Sequence, residues 1–220
     1  MSMRIFIDSA QVPAIADCWS TGLIDGVTTN PTLIKQSGKD PLDVYKELID
    51  LRVPDISMEV MGTEAEMEYD AMQLYTLFKE STTVKLPMTE EGLNVCRKLS
   101  DLGIRTNVTL IFNAAQALLA AKAGATYVSP FVGRIDDQGY AGLEVVRSIS
   151  GLYRQFGVET EVLAASIRTP HRAVRSFYNG ASVVTMPPHV FWQMYQHVLT
   201  DQGLAIFEKD ANEKQAAPSV

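Results

Sequence analysis

Short runs rich in valine, isoleucine and threonine alternate along the chain with longer stretches whose apolar positions recur every three or four residues. The first pattern predicts β-strands and the second amphipathic helices. Strands are expected at Arg4–Asp8, Gly26–Asn30, Ile56–Met61, Thr82–Pro87, Arg105–Leu110, Ala125–Phe131, Glu161–Ser166 and Ser182–Met186. Helices are expected at Gln11–Trp19, Leu42–Leu51, Glu64–Phe78, Thr89–Leu102, Asn113–Ala123, Gly139–Phe156, Pro170–Tyr178 and Pro188–Val198, with Val132–Gln138 as a polar loop. A last amphipathic segment, Asp201–Lys209, carries Leu204, Ile206 and Phe207 near one side. Punctuation agrees with these limits: Pro31 suits a first helical turn, and Gly103 and Gly124 stand where helices stop.

Eight strands alternating with eight helices is the pattern of an α/β (β/α)8 TIM barrel with an additional C-terminal helix. The rival architecture, a doubly wound open sheet, calls for a G-x-G-x-x-G turn after the first strand, which is missing, as is any G-x-x-x-x-G-K-[ST] loop. We expect a single domain over residues 1–211 and a flexible polar tail over 212–220.

In a barrel, alternate strand residues face the lumen and catalytic groups gather at the carboxyl ends of the strands. With Ile5, Ile7, Ile56, Met58, Val84, Leu86, Val108 and Leu110 facing the helices, the opposite parity collects Asp8, Thr28, Asn30, Glu59, Lys85, Asn107 and Thr109 at one end. Ser129 and Phe131 share a parity, and so do Ala164 and Ser166, assigned to the lumen. Polar inward residues on so many strands would cost stability if they served structure alone.

Lys85 is the centre of this ring. Burial disfavours an ammonium and leaves an amine able to attack a carbonyl and form a Schiff base. Blander readings exist for each member: Asp8 as a helix cap, Glu59 as a buried ion-pair partner of Lys85, and Thr28, Asn30, Thr109 and Ser166 as strand-end hydrogen-bonding groups. Arg134 and Arg168 follow the sixth and seventh strands closely enough to reach the mouth. An arginine, Ser166 and the helix start near Thr169 would suit a phosphate.

Composition narrows the setting. The 220 residues are 46% hydrophobic, enough for a full core, and the formal net charge of -7 argues against nucleic acid or an anionic membrane as partner. Two well-separated cysteines, Cys18 and Cys96, and an opening that runs directly into a strand lead us to expect a cytoplasmic protein without a membrane span. His171, His189 and His197 show no ligand spacing, so neither a metal site nor a cofactor is expected.

Five motifs, Gly26-Val27-Thr28-Thr29-Asn30-Pro31, Val84-Lys85-Leu86-Pro87, Thr106-Asn107-Val108-Thr109-Leu110, Gln116-Ala117-Leu118-Leu119-Ala120-Ala121 and Tyr127-Val128-Ser129-Pro130-Phe131-Val132-Gly133-Arg134, resemble in content and order those of small transaldolases and fructose-6-phosphate aldolases. The resemblance runs from Ile5 to about Phe207. It implies a class I aldolase-type barrel with Lys85 as the Schiff-base lysine and Asp8 as acid and base. It further implies Glu59 and Thr109 around a proton-shuttling water, Thr28, Asn30 and Asn107 on donor hydroxyls, and Arg134, Ser166 and Arg168 on phosphate. Aldolase members tend to carry glutamine where this chain has Glu59 and tyrosine where it has Phe131, so the expected activity is transaldolase, with fructose-6-phosphate aldolase as the alternative. Sugar phosphates are the implied partners, and a homo-oligomer, pentamer or decamer, the implied assembly. From another class, a silent phosphate-binding barrel or an isomerase using Glu59 as its base stays open.

Overall fold

The computed structural model describes residues 3–216, with side chains through residue 212. Eight parallel strands close into a barrel in sequential order. They are β1 (Arg4–Asp8), β2 (Gly26–Thr28), β3 (Ile56–Glu59), β4 (Thr82–Pro87), β5 (Thr106–Ile111), β6 (Tyr127–Pro130), β7 (Glu161–Ala164) and β8 (Val183–Met186). Around them run α1 (Val12–Trp19), α2 (Pro31–Ser37), α3 (Pro41–Asp50), α4 (Glu64–Phe78), α5 (Glu90–Asp101), α6 (Ala114–Lys122), α7 (Val132–Asp137), α8 (Gly142–Phe156), α9 (Pro170–Tyr178), α10 (Pro188–Gln193) and α11 (Val198–Ala216). The fold is a (β/α)8 barrel with an additional C-terminal helix.

Strand alternation divides the apolar residues into two bodies. Ile7, Val27, Ile56, Met58, Val84, Leu86, Val108, Val128, Val162, Ala164 and Val184 join the large core between barrel and helices. Phe6, Tyr127, Leu163, Ala165 and Val183 form a smaller cluster inside the lumen. Beneath that cluster lies a charged network. Asp55 accepts hydrogen bonds from Thr83 Oγ1 (2.7 Å), Arg105 Nη1 (2.8 Å) and the Tyr127 hydroxyl (2.8 Å). Tyr127 in turn accepts from Arg4 at 2.8 Å, and Arg4 pairs with Glu161 at 2.5 Å. A buried carboxylate with three donors is a satisfied charge.

Several elements depart from expectation. The stretch Val132–Gln138, read as loop, folds as α7, because Val132 and Ile135 are spaced three apart and both become buried. A short helix not expected from the pattern, α2, begins at Pro31, where Asn30 caps its start and Gly38 takes the left-handed conformation at its end. The helix expected over Pro188–Val198 breaks after Gln193, and His197 then caps α11, its Nδ1 accepting from the Leu199 N–H at 3.2 Å. That helix continues to Ala216, so the polar tail expected from Asn212 falls partly within α11, with 217–220 outside the described residues.

The parity assigned to the seventh strand is a correction. Ala164 belongs to the outer core, and it is Leu163 and Ala165 that face the lumen. Ser166 stands one step beyond, with a left-handed backbone (φ 58°) that a regular strand does not contain. Among the described residues no helix is long and apolar enough to cross a membrane, and no group of three or more His, Cys, Asp or Glu could hold a metal ion.

Candidate active site

The cavity at the carboxyl ends of the strands is lined by Asp8, Thr28, Asn30, Lys85, Ser129, Phe131, Arg134, Ala165, Ser166 and Thr185. Lys85 reaches it from β4, which is buried along its whole length. Only 4% of Lys85 is exposed, and its Nζ contacts Glu59 Oε2 at 2.8 Å and donates to the Thr29 carbonyl at 2.9 Å. The Glu59 pairing follows from register, since Glu59 of β3 lies directly beside Lys85 of β4. Lys85 is therefore enclosed and ion-paired, with a proton acceptor in contact.

Asp8 ends β1 and does not cap α1, whose first turn has no side-chain cap. Its carboxylate accepts from Thr28 Oγ1 at 2.7 Å, and the same hydroxyl oxygen lies 2.7 Å from Thr185 Oγ1. Burial pushes the Asp8 carboxyl above the usual carboxylate range, against the opposing pull of Lys85 and the Thr28 hydrogen bond. Such a group is a better proton acceptor near neutral pH than an exposed aspartate.

Asn30 serves two structures at once. Its Oδ1 accepts from the Leu33 N–H at 3.0 Å to cap α2, and the residue also lines the cavity, with its amide N–H2 not used in that cap. Asn107 is fully buried behind the wall, donating to Ser57 Oγ at 3.1 Å and accepting from Ser129 Oγ at 2.6 Å. Thr109, 1% exposed, presents an Oγ1 with no protein partner among the described residues. It sits beside a bulge in β5, where Leu110 is left-handed and the pairing with β6 shifts.

Toward the rim, the Arg134 guanidinium stacks on Phe131 with its centre 4.8 Å from the ring. Gly133 packs against Ser166, donating its N–H to the Ser166 carbonyl at 3.1 Å. A Cβ on Gly133 would fall 2.2 Å from that oxygen and 2.9 Å from both Ser166 Oγ and Arg168 Nε. Arg168 does not line the cavity. It is half-exposed and held in a two-pronged ion pair with Asp137 of α7, which draws the Asp137 carboxyl below its ordinary value.

Of the residues expected from sequence, Asp8, Thr28, Asn30, Lys85, Phe131, Arg134 and Ser166 meet in one cavity. Glu59 adjoins it through Lys85, Asn107 and Thr109 are buried near it, and Arg168 stands apart at the rim. Sequence reasoning left Ser129, Ala165 and Thr185 without roles, and all three line the cavity. Extending the strand alternation to Ser182–Met186 finds Thr185.

Residues 5–219 match the family model described as transaldolase/fructose-6-phosphate aldolase. Among the proteins the chain is similar to are a probable transaldolase of Caulobacter vibrioides (strain NA1000 / CB15N), 50% identical over 94% of this chain and 96% of that protein, and one of Clostridium tetani (strain Massachusetts / E88), 48% identical over 94% and 97%. A third, from Symbiobacterium thermophilum, is 46% identical over 94% and 96%. With a match of this length to the family model and relatives of this identity covering nearly the whole chain, the protein belongs to the transaldolase/fructose-6-phosphate aldolase family.

Proposed function

We propose that the protein is a transaldolase that moves a dihydroxyacetone unit between sugar phosphates through a Schiff base on Lys85. The observation that carries this reading is the enclosed Lys85 amine, in contact with Glu59 and sharing one cavity with the Asp8 carboxyl.

Transfer of a proton from Lys85 to Glu59 frees the nitrogen lone pair. The amine attacks the ketose carbonyl, and loss of water gives an iminium. Thr109 Oγ1, buried and with hydrogen-bonding capacity to spare, suits a water that carries protons between Glu59 and the carbinolamine oxygen. Asp8 takes the proton of the hydroxyl on the far carbon of the bond to be broken, the carbon that becomes the aldehyde. The carbon–carbon bond then gives its electron pair to the iminium, leaving an enamine on Lys85 and releasing an aldose phosphate. Attack of the enamine on a second aldehyde phosphate, with the proton returned by Asp8, reverses these steps, and hydrolysis frees the product. Thr28, Asn30 and Asn107 are assigned to the donor hydroxyls, and Arg134 and Ser166 to phosphate, with Arg168 joining from the rim.

Glu59 and Phe131 favour transfer over simple cleavage. A glutamate accepts a proton where glutamine cannot, and a phenyl ring offers no hydroxyl to orient a hydrolytic water. The names of the relatives support the same choice. The substrates proposed are sedoheptulose 7-phosphate and glyceraldehyde 3-phosphate, giving erythrose 4-phosphate and fructose 6-phosphate in the pentose phosphate scheme. We also propose a cytoplasmic homo-oligomer, a contact that exposed Leu204, Ile206 and Phe207 of α11 would suit.

Borohydride reduction with ketose phosphate should trap a stable adduct on Lys85 and none in Lys85→Met. Turnover should require the aldose-phosphate acceptor. Equal turnover without acceptor would make the protein a fructose-6-phosphate aldolase, and absence of the adduct would remove the covalent mechanism.

A further inference from the structure

Two threonine hydroxyls stand in line behind Asp8. β1 lies between β2 and β8, with Asp8 level with Thr28 on one side and Phe6 level with Thr185 on the other. Side chains from both flanking strands therefore converge below the carboxyl. Thr28 and Thr185 are each 2% exposed, so bulk water does not compete for their hydrogen bonds.

Counting protons gives the line a direction. A hydroxyl has one proton to donate. When Asp8 is ionised it can only accept, so Thr28 spends its proton on Asp8 Oδ1 at 2.7 Å. The 2.7 Å contact between the two threonine oxygens must then be Thr185 donating to Thr28. With Asp8 protonated on that oxygen, the line would have to reverse and the Thr185 proton would need another acceptor. Protonation on the other oxygen would keep the line but make Oδ1 a weaker acceptor, so the line as drawn favours the carboxylate.

We propose that Thr185 is a positioning residue which, acting through Thr28, fixes the Asp8 carboxylate in its proton-accepting form and orientation. Each hydroxyl that donates polarises the next, so the Thr185 donor strengthens the hydrogen bond Thr28 makes to Asp8. The oxygen of Asp8 outside this line is left for the sugar hydroxyl. The charged groups acting on Asp8 are Lys85 and Arg134, which favour its ionised form, and Glu59, which opposes it. Thr185 adds no charge and works by hydrogen bonding alone. The proposal rests on the role given to Asp8 above.

The test uses Thr185→Val, which keeps the β-branched shape and removes the hydroxyl, and Thr185→Ser, which keeps the hydroxyl. Carboxyl NMR titration of Asp8 in the substrate-free protein should place the Thr185→Val midpoint above wild type by roughly half a pH unit. Thr185→Ser should titrate as wild type. In a ketose-cleavage assay, the acid limb of kcat/KM should move by the same amount, giving a loss of about 3-fold on that limb. An unmoved Asp8 midpoint in Thr185→Val would overturn the proposal, as would a raised KM with the acid limb in place, which would make Thr185 a substrate contact. The titration needs no turnover, so wild-type protein without transaldolase activity would refute the assigned reaction and leave this measurement standing.

Discussion

Asp8, in the role proposed for it, illustrates how one side chain sets stability against reactivity. Its pKa is raised by burial, so its contribution to stability is complete below the ordinary carboxylate value of about 3.9 and is lost as pH rises through the raised folded value. Where Asp8 is ionised, the protein carries a charge it would be more stable without. Asp8→Asn, which can still accept from Thr28, should raise the thermal midpoint at pH 7, with the gain shrinking toward pH 4. The same variant should lose about 10²–10⁴-fold in carbon–carbon cleavage while borohydride still traps the Lys85 adduct. Loss of trapping in Asp8→Asn would show that Asp8 acts before bond cleavage. That Asp8 is inward was legible from the alternation of Ile5 and Ile7; that Thr28 bonds to it and Thr185 to Thr28 was not, because register between strands is invisible in a single sequence.

At the scale of elements, the junction of β6, α7 and the residues after β7 builds the end of the cavity assigned above to phosphate. Gly133 is required there by contact, not by its own backbone angle, since any Cβ would drive into the Ser166 carbonyl. Gly133→Ala should destabilise the protein by about 1–3 kcal/mol through overpacking. It should also raise KM for a phosphorylated ketose by about 10-fold, as roughly 1.4 kcal/mol of lost phosphate contact would, while leaving cleavage of an unphosphorylated ketose much less affected. An equal loss on both substrates would detach Ser166 and Arg134 from phosphate. Here the sequence was harder to read. Polar Asp136, Asp137 and Gln138 masked the helix of α7, and those aspartates turn out to pair with Arg172 and Arg168 across to the α9 start. Ser166 reached the cavity by a left-handed backbone, where alternation had assigned it by the wrong parity. The long periodic helices and the strands rich in β-branched residues were plain, because burial on one face writes its period into the chain.

Across the whole molecule, the lumen is stacked in storeys: a charged base around Asp55, a layer of Phe6, Leu163, Val183 and the Tyr127 ring, and the candidate active-site cavity above. Phe6 and Tyr127 meet edge to face with ring centres 6.3 Å apart. Asp55→Ala would leave Arg105, Thr83 and Tyr127 without their shared acceptor and should cost about 3 kcal/mol, lowering the thermal midpoint by roughly 6–12 °C for a domain of this size. The pH profile of turnover should keep its shape, and a displaced acid limb in Asp55→Ala would mean that the base communicates with Asp8. The barrel itself could be read from strand and helix count, whereas this base could not, since Arg4, Asp55, Arg105 and Glu161 sit at strand starts that look like ordinary surface charge. The apolar floor lies between two polar storeys. A change in a lining residue should then leave the closure of the cylinder alone, since the foundation is held by bonds in which the lining has no share.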